Sequence, residues 1–448
     1  MRRGSVVHVT GRRLLVLILV LAAIGIPAGV LEAACVGRSC DDEPSAHAVP
    51  FCPLPQALKR QLVNGYREGR SPDVLGVADA TPVFTEVQAL RTSWPGIGSS
   101  SVAGVPLVFF GAGVSEGASE IPTGVTLDRV APTVSEILGF ERPFPEVRSG
   151  TPIEGVAERG TPPRLVVLIA WKGAGSAELE QRPEAWPFLS SMFANGAGAI
   201  EGRTGSLPLD PAATLTTIGT GGLPSQHGIT GSFVRNDEGQ VVPAFGPGVA
   251  FQVIATLADD LEEANPDTLV GLVATDARDR GIVGGGWYLG QDPVDVVIGD
   301  SAAAPLAGDV HLATGYGADD VPDVLGVVLD GSIRSMDART RRIVTAAERS
   351  TGGSALIVVA GTGSWERSRV AELDTRIVEA VEQDVPGEAR AVAAVVPGGL
   401  FLDQDVLREA RVTGQVAVEA MRSARSASGE TMLADAFQGF AVSFVRYC

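Results

Sequence analysis

The residues best placed to do chemistry lie in one stretch, 204–236, TGSLPLDPAATLTTIGTGGLPSQHGITGSFVRN. Asp210-Pro211 is a helix start: an aspartate caps orphan N–H groups, and proline suits the first helical position. The free amides and the helix dipole at such a start favour an anion, and this is where an α/β enzyme presents a nucleophile. Asp210 and Thr214 are the nucleophile candidates of a working site. Thr220-Gly221-Gly222-Leu223-Pro224 and His227-Gly228-Ile229 then end the helix and lay a loop back over a sheet. Other groups offer less. His8, His47, His227 and His311 are scattered, with no partner at ligand spacing. Asp319, Asp320 and Asp323 could form an all-oxygen site for magnesium or calcium; a solvated acidic loop explains them more simply. The glycine-rich 281–290 lacks the Gly-Lys-Ser/Thr of a phosphate-binding loop, and no G-x-S-x-G turn is present.

The elements that must position these residues alternate. Apolar runs at 105–114, 163–175, 268–276, 323–331 and 354–364 read as short buried strands, each bounded by turn residues. Helical patterns lie at 127–143, 250–264 and 336–349. This alternation predicts an α/β fold with a central, mostly parallel sheet covered by helices on both faces. PDVLGVAD reads as a further strand, QALKRQLVNGYREG as an amphipathic helix ended by a glycine, and ADAFQGFAVSFVRYC as an edge strand with Phe440, Val442 and Phe444 alternating. The hydrophobic content of 45% supplies a substantial core. A net charge of −18 excludes nucleic acid as an expected partner, since its phosphates would be repelled.

The amino terminus is a targeting segment. Arg2, Arg3, Arg12 and Arg13 precede an apolar run from Leu14 to Leu31, which predicts a cytoplasmic lead and export of everything after residue 35. The run reads as a membrane-spanning anchor or as a cleavable signal helix, with a lipoprotein site at Cys35 a further alternative. Residues 1–34 are thus the lead and helix, 35–70 a stalk and lead-in helix, and 71–448 a single domain. Export permits disulfides. Cys52 with Cys448 would staple the ends of the domain and Cys35 with Cys40 would close a small loop, against the alternative of four unrelated thiols.

The wording of 220–229 resembles the alkaline phosphatase superfamily, most closely its nucleotide pyrophosphatase/phosphodiesterase branch. There the helix after the nucleophile ends in T-G-x-x-P-x-x-H-G-I, matched by Thr220, Gly221, Pro224, His227, Gly228 and Ile229. Val105, Pro106, Leu107, Phe109, Gly111, Gly113 and Ala131-Pro132-Thr133 resemble that family's C-terminal strand and helix. The resemblance therefore implies a three-layer domain in circularly permuted order: 71–150 as the family's C-terminal piece, 151–163 as a linker, and 164–448 as its N-terminal piece. The alternative is two different domains in succession.

Active members of the family hold two divalent ions, such as zinc, on Asp and His ligands around a Thr or Ser nucleophile. In this chain the first strand ends Trp171-Lys172-Gly173, and the nucleophile position falls on or near Pro211. The third strand gives Asp330 with no following His, the fourth gives Ala360-Gly361-Thr362-Gly363-Ser364, and the final His-Gly is replaced by Trp94-Pro95-Gly96. The expected metal positions are vacant. Trp94, Trp171 and Trp365 stand at or beside them, either filling core or lining an apolar ligand groove. The sequence thus predicts a membrane-tethered pseudoenzyme that binds a ligand or envelope partner and needs no cofactor. The alternative is a phosphodiesterase-like hydrolase acting through Asp210 or Thr214.

Overall fold

The structure is a computed structural model; it describes residues 51–78, 83–87, 90–94, 103–115, 121–158, 160–246, 252–284, 295–298, 312, 315–364, 373–396, 398–426 and 429–448. The targeting segment, Cys35, Cys40, His8, His47, His311 and Trp365 lie outside the described residues. Among the described residues no helix is long and apolar enough to cross a membrane. Pro50–Arg446 forms one compact unit.

The strands in chain order are β1 (Val74–Ala78), β2 (Val83–Val87), β3 (Leu90–Trp94), β4 (Gly104–Gly111), β5 (Leu165–Trp171), β6 (Ala197–Arg203), β7 (Phe233–Arg235) and β8 (Val241–Pro243). They continue with β9 (Val270–Ala274), β10 (Asp295–Ile298), β11 (Asp323–Leu329), β12 (Ala355–Gly361), β13 (Val392–Val396), β14 (Gly399–Leu402) and β15 (Leu433–Gln438). Seven make the central sheet, in the order β10-β9-β11-β5-β12-β4-β6. β10, β9, β11, β5 and β12 run parallel; β4 is antiparallel to both of its neighbours, β12 and β6. The apolar runs at 105–114, 163–175, 268–276, 323–331 and 354–364 all join this sheet.

β5 is buried along its whole length, and its pleat divides it between two cores. Val166, Leu168 and Ala170 pack with Leu215, Ile218, Leu257 and Leu261 on one face. Leu165, Val167, Ile169 and Trp171 pack with Leu189, Ile333, Met336 and Ile343 on the other. Helices therefore cover both faces of a mostly parallel sheet, as the alternation predicts. No strand in the middle of such a sheet meets water, which is why it is written in continuous apolar runs rather than alternating ones.

A second, four-stranded antiparallel sheet has the order β13-β14-β1-β15 and a core of its own built on Val74, Leu400, Leu402, Val418, Met421 and Leu433. β1 thus pairs with strands from the far end of the chain, Val74 opposite Gln438 and Leu75 opposite Phe437. The amide of Gly439 also donates to the Asp73 carbonyl at 2.8 Å.

Two expectations are corrected. The terminal strand stops at Gln438; residues Gly439–Tyr447 form a 3₁₀ helix that leaves Phe440 and Phe444 exposed. The same spacing is compatible with a tight helix, which buries Val442 and leaves the Phe440 and Phe444 rings in edge-to-face contact on the exposed side. The lead-in helix, Gln56–Gly65, forms as expected. It buries Leu58 and Leu62, and a Cβ on Gly65 would stand 1.8 Å from the Leu207 carbonyl oxygen, so its backbone lies directly on the body. Arg67 extends this contact, donating to the carbonyls of Ser225 and Gln226 at 3.0 and 2.8 Å. Finally, the helix ends at Gly65 rather than at Gly69. Cys52 and Cys448 are both disulfide-bonded, as a staple between them requires.

Candidate functional site

Helix Pro211–Thr220 is buried at every position. Its N-terminal cap is built as the sequence predicts, with further bonds that the local sequence does not reveal. Asp210 Oδ1 accepts from the Ala212 amide at 2.8 Å and from the Ser232 hydroxyl at 2.9 Å; Oδ2 accepts from the Ser232 amide at 2.8 Å. Asp210 therefore clamps the returning loop onto the helix start. Burial pushes its pKa up, against the pull of the Ser232 and Ala212 hydrogen bonds. Thr214 lies inside the same helix and is buried. Neither nucleophile candidate faces solvent.

His227 is also a structural residue. Its Nδ1 accepts from the Ile229 amide at 3.1 Å, so Nε2 carries the proton and faces the Thr217 hydroxyl at 3.1 Å. That hydroxyl in turn donates to the Ala213 carbonyl. Burial, reinforced by Arg67, holds the imidazole pKa down at about 3, so it is neutral through the physiological range. Gly228, with φ of 80°, supplies the left-handed residue that closes the turn.

The charged groups gather at the C-terminal ends of β5 and β9. Lys172, the residue after β5, places Nζ 2.6 and 2.7 Å from the two carboxylate oxygens of Asp279. Asp279 belongs to the 3₁₀ turn Ala277–Ile282 that follows β9 and is buried. Burial raises its pKa to about 6, although Lys172 pulls the other way. Asp276 caps the same turn through the Arg278 amide and accepts from Arg278 Nε at 2.9 and 3.0 Å. Burial alone would raise Asp276, but the hydrogen bonds and charge of Arg278 outweigh it and hold the carboxyl below its ordinary range. Arg278 also feels the charge of Asp210, which ties this cluster to the helix start. At the end of β12, Ser364 donates to Glu178 and Thr362 accepts from the Gly173 amide.

Each charge in this cluster is therefore answered by a neighbour within the chain. The donor set does not fit a pair of divalent ions: an ammonium and a guanidinium stand among the carboxylates, and both Asp279 oxygens are already taken by Lys172. Among the described residues no group of three or more His, Cys, Asp or Glu side chains converges. Lys172 was legible in the sequence as the residue after the first strand. Asp276, Arg278 and Asp279 were not singled out; the only signal was a charged TDARDR run directly after an apolar strand.

Of the tryptophans, Trp171 is fully buried and its indole N–H donates to the Thr340 hydroxyl at 2.9 Å. It fills the core between β5 and helix Ile333–Thr351 and does not line a groove. Trp94 ends β3, and its side chain, like Trp365, lies outside the described residues. The acidic cluster is also dispersed. Asp323 is buried at the opposite end of β11, accepting from the Leu269 and Gly317 amides at 2.7 and 2.6 Å, while Asp319 accepts from the Val321 amide and Asp320 pairs with Arg164 at 2.6 Å.

No family model and no curated protein matches the chain. Among solved structures it is similar to the wild-type alkaline phosphatase PafA, with a TM-score of 0.42 and 14% identity over 58% of this chain and 76% of that one. A mutant of the same enzyme gives a TM-score of 0.39 and 15% identity over the same shares. These values are too low to bear on activity, and the functional reading rests on this chain's own residues.

Proposed function

We propose that this protein is an exported, membrane-tethered domain of alkaline phosphatase type, nearest to the nucleotide pyrophosphatase/phosphodiesterase branch. In this reading it has lost two-metal phosphoester hydrolysis and binds a ligand or partner at the cell envelope. The observation that carries the reading is Lys172. At the end of a central parallel strand, where a two-metal hydrolase needs a carboxylate, stands a cation bonded to both oxygens of the nearest buried carboxylate. A fixed ammonium repels a divalent ion, and the Asp279 carboxylate cannot serve a metal without giving it up. Hydrolysis through Asp210 would require it to release three hydrogen bonds and reach solvent.

A circularly permuted order is part of the same reading. It is supported by β1 and β15, the first and last strands, which pair as antiparallel neighbours, and by β4, which enters the central sheet beside β12 although they are far apart in sequence. The amino-terminal segment would hold the domain at the membrane, and no nucleic acid is expected.

The test is elemental mass spectrometry of the purified protein after incubation with zinc, manganese and calcium. Near-zero stoichiometry is expected. About two tightly held ions per chain would show that the strand ends still form a two-metal site.

A further inference from the structure

The turn that follows helix Val130–Leu138 holds a phenylalanine in a backbone conformation that its neighbours in sequence disfavour. Phe144 has φ of 51° and ψ of 53°, in the left-handed region that residues other than glycine rarely adopt. Pro145 follows it, and a proline drives the residue before it towards extended backbone. Three non-glycine residues among those described have positive φ. Phe245 packs into a small core, and Arg411 closes the end of a helix. Phe144 is instead 70% exposed, so burial of its ring offsets little of the cost.

The conformation is imposed from beneath. Arg148 Nη1 donates to the Pro143 and Phe144 carbonyls at 2.8 and 3.0 Å. Its Nε donates to the Thr220 carbonyl at 3.0 Å, and its Nη2 to Asp260 at 3.2 Å. Arg142, on the other side of the turn, donates to the same carbonyl and the same carboxylate oxygen, both at 2.8 Å. Both arginine side chains and Asp260 are buried. A bracket of this kind over-determines the backbone, and strain that is held in place gathers at functional sites.

The charges of the turn are sorted as well. Its two arginines are used up inside, whereas Glu141 and Glu146 are exposed and make no ion pair among the described residues. Outwards the turn therefore offers Phe144 and the exposed Val147, accompanied by two carboxylates. Two copies meeting through this surface would set carboxylate against carboxylate, and an anionic lipid surface would repel both.

We propose that this turn docks another protein, with Phe144 filling an apolar pocket and Glu141 and Glu146 pairing with lysine or arginine at the rim of that pocket. An aromatic side chain on a pre-set backbone loses little freedom on binding, which lets one residue dominate an interface. The turn is bonded to Thr220, the last residue of helix Pro211–Thr220, whereas Asp210 stands at the start of that helix. The docking surface therefore stands whether or not the strand ends have lost their metals.

The test has two arms, both on the full chain. Phe144→Gly frees the backbone and removes the ring, so its melting temperature should rise by a few degrees. An unchanged or lower melting temperature would make the ring part of the turn's own packing and overturn the proposal. In the second arm, benzoylphenylalanine at position 144 is photoactivated in the native cells and its adducts are identified by mass spectrometry. A protein other than this chain should be captured, and the purified pair should bind each other in a salt-sensitive way. Phe144→Gly should weaken that binding about thirtyfold or more, and Glu141→Lys/Glu146→Lys about tenfold. Adducts only with lipid, only with a second copy, or with nothing overturn the proposal, as does affinity for the captured protein unchanged in either variant.

Discussion

Replacing Lys172 with methionine isolates the contact on which the functional reading rests. The substitution keeps the aliphatic stem and removes the ammonium that sits 2.6 and 2.7 Å from the Asp279 oxygens. Asp279 has a native pKa of about 6 against an ordinary 3.8, so the folded state holds its proton more tightly than the unfolded chain. Its contribution to stability is therefore greatest at low pH and declines as pH rises from about 4 through 6. At about pH 5 the carboxyl is mostly neutral in the native protein, and Lys172→Met forfeits little beyond a hydrogen bond, about 1 kcal/mol. Above pH 6 the wild type carries an ionised pair, whereas Asp279 in the variant stays protonated to higher pH. The loss then grows by about 1.4 kcal/mol per pH unit and reaches roughly 3–4 kcal/mol at about pH 8, the range for a broken buried pair. Urea unfolding of both proteins at the two pH values measures this, and Lys172→Met/Asp279→Leu should abolish most of the difference between them. A loss of equal size at both pH values would refute the assignment of a buried, mutually dependent pair.

Two further expectations concern the helix start and its turn. His227 has a native pKa of about 3 against 6.5, so below 6.5 the unfolded chain takes up a proton that the native state refuses. This depressed group favours folding least in acid: about 2 kcal/mol should be lost by about pH 5 relative to pH 8, and His227→Gln, measured by the same unfolding, should remove that slope. An unchanged slope in the variant would assign the acid sensitivity to other groups. Asp210→Ala leaves the Ala212 amide and both Ser232 donors without their partner and should cost about 2–4 kcal/mol. Asp210→Asn keeps one acceptor oxygen and should cost half of that or less; equal losses in thermal unfolding would contradict a capping role.

Much of this protein was settled by its sequence alone. Five of the seven described strands of the central sheet, β4, β5, β9, β11 and β12, are written as apolar runs ended by glycine and charged turns, because a strand buried on both faces needs no polar residue until it leaves the sheet; the edge strands β6 and β10 carry no such run and were not read. The Asp210 cap and the Gly221 and Gly228 turns are equally local, each fixed by what one residue's backbone or side chain can do within a few positions. Phe440, Val442 and Phe444 were misread for the converse reason: three apolar residues at a spacing of two do not specify a strand unless a partner strand is there to pair with them. What only the tertiary structure decided is the fate of the charges. Lys172 and Asp279 are 107 residues apart, and no local rule makes one the counter-ion of the other. Trp171 went to the core because Thr340, on a helix 169 residues away, receives its indole N–H. A buried ion pair or hydrogen bond of this kind exists only once folding has brought distant segments together and excluded water from between them, and that exclusion is absent from the sequence of either partner.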